Sequence, residues 1–209
     1  MLIEGRAEAG VLDKSGCRLV LEPSGGVRHE YGMASSGCVE PAHSPTVMFT
    51  IGNCSLGRVL IAGTQAGVSA VLLDDQDSVL LEQLRNDFPR SELKEVSGKW
   101  QPWGDAVLSH LNAERAVSDL PLCLEGTPFQ LRVWQALCEI PIGASRSYSE
   151  VASAIGSPGA VRAVGTACAL NSLAVLVPCH RVVRADRSLG RYRWGIERKS
   201  LLLDREGRT

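Results

Sequence analysis

The 209-residue chain has no apolar run approaching the roughly 20 residues that cross a bilayer. Its first residues carry Glu4, Arg6 and Glu8, so the basic start and apolar core of a signal peptide are missing as well. No CxxC pair occurs among Cys17, Cys38, Cys54, Cys123, Cys138, Cys168 and Cys179, and an odd number of thiols cannot pair completely. Cys17, His29, Cys38 and His43 lack the compact spacing of a zinc knuckle, so no metal is expected. These absences argue against a membrane span, a secretory route and a disulfide scaffold. They point to a soluble intracellular protein whose thiols mostly fill core space. A large net charge is missing too, at -1, but the average hides an asymmetry. Residues 48–125 hold six basic and eleven acidic side chains, whereas residues 126–209 hold twelve basic and six acidic. A polyanion would be drawn to the last third.

What is present divides into three stretches. Residues 1–47 are broken by glycine, serine and proline, and only Val11-Leu12 and Leu19-Val20-Leu21 have strand character. They are treated as a leader. Residues 48–125 predict a small α/β domain. Its strands lie at Val47–Ile51, Gly57–Ala62 and Val68–Leu73, set apart by turns as in an antiparallel meander. A helix opens at Asp77-Ser78 and stops before Pro89, a second spans Trp103–Leu111, and a last strand covers Leu120–Leu124.

Residues 126–209 predict a mostly helical domain. Thr127-Pro128 opens a helix with Phe129, Val133, Trp134 and Leu137 on one face. Ser147–Ile155 and Ala160–Leu170 form two more helices around Gly156-Ser157-Pro158-Gly159, a spacing that fits a helix-turn-helix or a plain helical hairpin. The second of these is smooth and alanine-rich, with few side chains able to read base edges, so any docking on DNA would follow shape. Leu173–Val177 is expected to run buried up to Pro178, which fixes the direction of Cys179. His180 and Arg181 bring potential positive charge to the sulfur, and a thiol among cations ionises more readily. A buried thiol beside a surface His-Arg pair carries the same letters, so catalysis and core packing both stay open at this point.

Pro178-Cys179-His180-Arg181-Val182-Val183 resembles the signature of the O6-alkylguanine-DNA alkyltransferases. The likeness continues through Tyr192-Arg193-Trp194-Gly195, Lys199 and Leu202–Glu206, and upstream through Phe129–Trp134, Ile140-Pro141, Ser147-Tyr148, Ala160–Gly165 and Asn171. It spans roughly residues 48–206 and has the flavour of the alkyltransferase half of bacterial Ada.

The resemblance implies a ribonuclease H-like first domain and a winged-helix-like second one. It implies direct reversal of O6-alkylguanine, mainly O6-methylguanine and also O4-methylthymine, by irreversible single transfer of the alkyl group to Cys179. His180 would take the thiol proton through a water and Glu206 would orient the imidazole. Tyr192 would donate its hydroxyl toward the base. Arg162 would fill the gap left by an everted nucleotide, with Ala163 beside it, and Tyr148 would crowd the 3′ phosphate. Asn171 would act as a hinge, and Val182, Arg193 and Trp194 would line the pocket, the Trp194 ring narrowing it in favour of methyl over benzyl adducts. No cofactor is implied. The implied partner is double-stranded DNA met through the minor groove by a monomer in the bacterial cytoplasm, on the nucleoid when bound. Non-enzymatic recognition of alkylated DNA is the rival reading. One departure stands out: Arg187 and Arg191 sit in a loop where relatives carry glycine or asparagine, so Arg187 is expected to strain the turn by about 1 kcal/mol or, with Arg191, to meet phosphate.

Overall fold

The computed structural model describes residues 17–21, 27–31, 46–64, 66–96, 101–113 and 120–207. Two short strands from the early stretch, β1 (Cys17–Leu21) and β2 (Val27–Tyr31), pair with each other. They are followed by β3 (Thr46–Cys54), β4 (Gly57–Thr64) and β5 (Gly67–Asp74), helix α1 (Asp77–Asp87), β6 (Glu92–Glu95), helix α2 (Gln101–Leu111) and β7 (Pro121–Leu122). All seven strands form one sheet in the order β2-β1-β7-β5-β4-β3-β6. Val11-Leu12 lies outside the described residues.

The expected meander is there as β3, β4 and β5, with antiparallel registers throughout. The sheet itself is mixed, because β6 joins β3 and β7 joins β5 in parallel. Glu-Leu-Lys-Glu gives β6 no apolar alternation, since it is an exposed edge whose charges discourage further pairing. The strand expected over Leu120–Leu124 shortens to two residues, opened by a proline with no N–H to donate.

Strands β4 and β5 are buried on both faces, and their two-residue period sorts the core. Val59, Ile61, Val71 and Leu73 pack toward the C-terminal helices, while Leu60, Ala62, Ala70 and Leu72 meet Leu80 and Leu84 of α1. One face of the sheet is therefore closed by α1. The other is the floor on which the C-terminal domain rests.

That domain begins with α3 (Pro128–Cys138), whose start is fixed by a capping box between Thr127 and Gln130 with proline in the first turn. The short strand β8 (Arg146–Ser147) leads into α4 (Tyr148–Ala154), started by a second capping box between Ser147 and Glu150. A turn follows, then α5 (Val161–Ala169). The α4–α5 pair is the helix-turn-helix-like element. It is anchored from below by the Trp134 indole of α3, which donates to the Ala167 carbonyl at 2.9 Å.

After α5 the chain returns to the sheet. Val71 N–H donates to the Ser172 carbonyl and Ala174 N–H to the Val71 carbonyl, stitching residues 172–174 onto β5. The apolar run Leu173–Val177 is buried as expected or nearly so, yet only Leu173 pairs as a strand would. Val175 turns into the left-handed region at φ +67°, rare for a β-branched residue, and sends the chain toward Cys179. Cys179–Arg181 form one 3-10 turn, Val182–Val183 form β9 beside β8, and α6 (Ile196–Arg205) closes the domain. Among the described residues no helix is long and apolar enough to cross a membrane.

Candidate active site

A cavity of about 660 Å³ opens between α5 and the loop that precedes α6. Cys179 stands in its wall with Tyr148, Arg162, Cys168, Arg184, Arg191, Tyr192 and Arg193. The Cys179 side chain is only 3% exposed, so the sulfur meets the outside through this cavity and not at the general surface.

The wholly buried Asn171 holds it there. Its amide nitrogen donates to the Val177 carbonyl at 2.9 Å, the Leu173 carbonyl at 3.3 Å and Cys179 Sγ at 3.3 Å, while its Oδ1 accepts from Leu173 N–H. One side chain thus ties the end of α5 to the reactive turn and offers the sulfur a hydrogen bond.

The expectation that neighbouring cations ease ionisation of Cys179 is corrected by the structure. Burial pushes the thiol up to about 11, and Asn171 with the charges of Lys199 and Arg193 offsets only part of that. Arg181, adjacent in sequence, points away. It donates from Nε and Nη2 to the Glu206 carboxylate at 2.8–3.2 Å and from Nη1 to the Ile140 carbonyl at 2.6 Å. The resting group is a neutral thiol.

His180 is completely buried, and its Nε2 lies 2.8 Å from Glu206 Oε1. Burial lowers the imidazole below its usual range, against the opposing pull of Glu206. Burial alone would raise Glu206, but hydrogen bonds from His180 and Arg181 and their charges bring it down to about 2. A neutral imidazole donating from Nε2 to a carboxylate leaves Nδ1 as the basic nitrogen, and this buried Nδ1 has no hydrogen-bond partner among the described residues. The separation of 26 positions between the partners is spanned because α6 packs against the turn that carries Cys179.

Tyr192 lies edge-on to His180 at 6.5 Å between centroids and edge-on to Trp194 at 5.1 Å. Its buried hydroxyl has no partner among the described residues, and burial raises it well above the ordinary phenol range, so it remains a donor. Trp194 is buried behind Tyr192 and is not on the cavity wall, so its ring narrows nothing directly. Val182 is likewise buried beneath the surface, its carbonyl accepting from Lys199 Nζ at 2.5 Å. Arg193 does line the cavity, with its guanidinium turned to Asp87 and the Asn171 carbonyl.

On the rim, Arg162 is exposed and Tyr148 half-buried, both in the wall, while the neighbouring Ala163 faces solvent outside it. Gly190 adopts φ +69°, and a Cβ there would come within 3.3 Å of the Tyr148 hydroxyl, so the loop can lie this close to α4 only with glycine. Arg187 does adopt a positive φ, +65°. Its side chain reaches the Ser145 carbonyl and Glu150.

Sequence reasoning gave no role to Lys199, Asp87, Arg184 or Cys168. Lys199 had a signal, since Lys199, Leu202 and Leu203 fall on one face of α6 at helical spacing, and that face is buried. Asp87 had none, being 106 residues from its partner.

A family profile described as "6-O-methylguanine DNA methyltransferase, DNA binding domain" matches residues 128–208. The chain is 43% identical over 175 residues to the "Bifunctional transcriptional activator/DNA repair enzyme Ada" of Escherichia coli, covering 84% of this chain and 49% of that protein. It therefore spans about half the length of the Ada proteins it matches. With the inducible "Methylated-DNA--protein-cysteine methyltransferase" of Bacillus subtilis it shares 46% identity over 130 residues, 62% of this chain and 73% of the relative. Among solved structures, Mycobacterium tuberculosis OGT in complex with DNA superposes with a TM-score of 0.65 at 36% identity, covering 77% of this chain and 92% of that one.

Proposed function

The chain belongs to the O6-alkylguanine-DNA alkyltransferase family, and from that membership and the site's geometry we propose that it repairs O6-alkylguanine in DNA by moving the alkyl group onto Cys179. The observation that carries this reading is a thiol at the wall of an open cavity, held by Asn171 next to a buried His180 that pairs with the partly buried Glu206. A guanine O6 inside a duplex cannot meet that sulfur, so the nucleotide must leave the stack. Arg162 and Tyr148, on the rim of the cavity, are suited to filling the gap and turning the phosphate.

The chemistry then follows from the side chains. The Cys179 proton passes to His180 Nδ1, directly or through one water, while Glu206 stabilises the imidazolium that forms. Sulfur attacks the alkyl carbon as the carbon–O6 bond breaks. The Tyr192 hydroxyl donates a hydrogen bond to the departing guanine, which takes up the displaced proton and leaves as ordinary guanine. The thioether left on Cys179 cannot ionise, so each molecule acts once. Nucleophile, base and leaving group in this sequence all belong to the chain or the DNA. O4-methylthymine offers the same bond to the same nucleophile and is a second substrate of this reading.

The basic balance of residues 126–209 and the exposed Arg162, Arg184 and Arg191 around the cavity favour a duplex partner, approached by α5 through the minor groove. A monomer suffices, because no step calls for a second chain. Intact mass after incubation with an O6-methylguanine duplex tests the proposal. Transfer adds one methylene unit per chain and stops there, whereas a retarded duplex with an unchanged protein mass supports a non-enzymatic binder of damaged DNA.

A further inference from the structure

Arg193 follows Tyr192 in the cavity wall, yet its guanidinium is committed to two partners outside the cavity. Nη2 donates to both carboxylate oxygens of Asp87 at 3.0 and 2.7 Å, and Nη1 donates to the Asn171 carbonyl at 3.2 Å. The guanidinium also lies 5.9 Å from the centre of the Trp194 ring. Asp87 is the last residue of α1, the helix that packs on the sheet face opposite the C-terminal helices. Asn171, in turn, is the residue whose side chain holds Cys179 Sγ. A continuous chain of hydrogen bonds therefore runs from α1 through Arg193 and Asn171 to the sulfur.

We propose that Asp87 is a positioning residue for alkyl transfer, setting Arg193 so that the Tyr192 wall and the Asn171 hinge stay in register with Cys179. The inference rests on the transfer reading given above. Both side chains are largely but not wholly covered, 17% exposed for Arg193 and 23% for Asp87. A guanidinium deprived of its carboxylate there can turn to water, and in doing so it releases the Asn171 carbonyl. The loop from Gly190 to Trp194 then loses its tie to α1, while Asn171 keeps only its own side-chain bonds. A shift of this kind leaves Arg162 and Tyr148 in place, because they belong to α5 and α4 and contact neither Asp87 nor Arg193 through a described hydrogen bond, whereas Arg191 rides on the loop that moves. The expected signature is a split in which the transfer step slows far more than duplex affinity falls.

Single-turnover transfer from an O6-methylguanine duplex, measured at saturating full-length protein beside duplex affinity, separates the possibilities. Asp87→Asn is expected to slow transfer by about ten- to a hundredfold, the scale of a misplacement near the reacting atoms, with a much smaller loss of duplex affinity. Asp87→Glu, which keeps the carboxylate, is expected to restore most of the rate. Arg205→Gln serves as the control, because Arg205 also ties the two parts, through Ser55 and the Leu111 carbonyl, and has no path to Asn171. It should lower the melting temperature without slowing transfer. The inference is overturned if Asp87→Asn transfers at the wild-type rate, if Asp87→Glu is as slow as Asp87→Asn, or if both the control and Asp87→Asn slow only in step with lost stability. A wild-type chain that gains no methyl group overturns the transfer reading itself, and this inference with it.

Discussion

Burial and reactivity pull against each other at Cys179. A thiol pushed up to about 11 is almost entirely protonated near neutral pH, so nucleophilicity must come from proton removal during the reaction and not from a standing thiolate. His180 is equipped for that role because burial holds it below its usual range, neutral and with Nδ1 unpartnered among the described residues, while Glu206 is ionised over the whole working range. The sign for pH follows. Transfer needs the neutral imidazole, whose pKa lies beneath the ordinary 6.5, so the rate should stay level as pH falls to that value and drop only below it. Single-turnover rates from about pH 5 to 8 check this; a decline centred above 6.5 would contradict it. Glu206→Gln should cost about a hundredfold or more in the same assay, the usual worth of a general base that is no longer oriented.

At the scale of elements, the loop between β9 and α6 is where local strain and function meet. Arg187 sits at φ +65°, which costs an L-residue roughly 1 kcal/mol, set against contacts that include an exposed pair with Glu150 at 3.7 Å worth a few tenths and a 3.4 Å bond to the Ser145 carbonyl. Arg187→Gly should therefore stabilise the protein by about 0.5–1 kcal/mol in urea unfolding. A loss of stability would mean that the Ser145 and Glu150 contacts outweigh the backbone. This strain was one of two readings the sequence left open, because the resemblance put glycine at that position and a glycine there can mark a positive φ. Legible outright were β3–β5, α1, α2 and α3, each marked by period or caps, and the two helices either side of Gly156. Strand β6 was not, because a charged edge strand carries no alternation. The orientation of Arg181 was not either. Adjacency placed it beside Cys179, whereas the 3-10 turn sends successive side chains to different sides. Nor could Trp194 be placed, since a large ring near a pocket reads the same in the wall or behind it.

Across the whole molecule, a nearly neutral chain concentrates its basic surplus in the C-terminal domain, and α1 with the sheet supports that domain from behind. Arg162, Arg184 and Arg191 stand exposed around one cavity, with no side-chain hydrogen bond or ion pair among the described residues. If they meet phosphate, duplex affinity should fall steeply with salt. Replacing Arg184 and Arg191 by Gln should then lower the slope of log affinity against log salt by about one each. An unchanged slope would place both outside the DNA footprint. The central claim is narrower: of seven cysteines, the deeply held Cys179 is the acceptor. The most direct measurement is peptide mapping after reaction with a duplex carrying an isotope-labelled O6-methyl group. The account predicts the label as S-methylcysteine on the peptide containing Cys179 alone, at one label per chain, and none in Cys179→Ala. Label on Cys168 or another cysteine, or a protein left unlabelled after the duplex is bound, would contradict it.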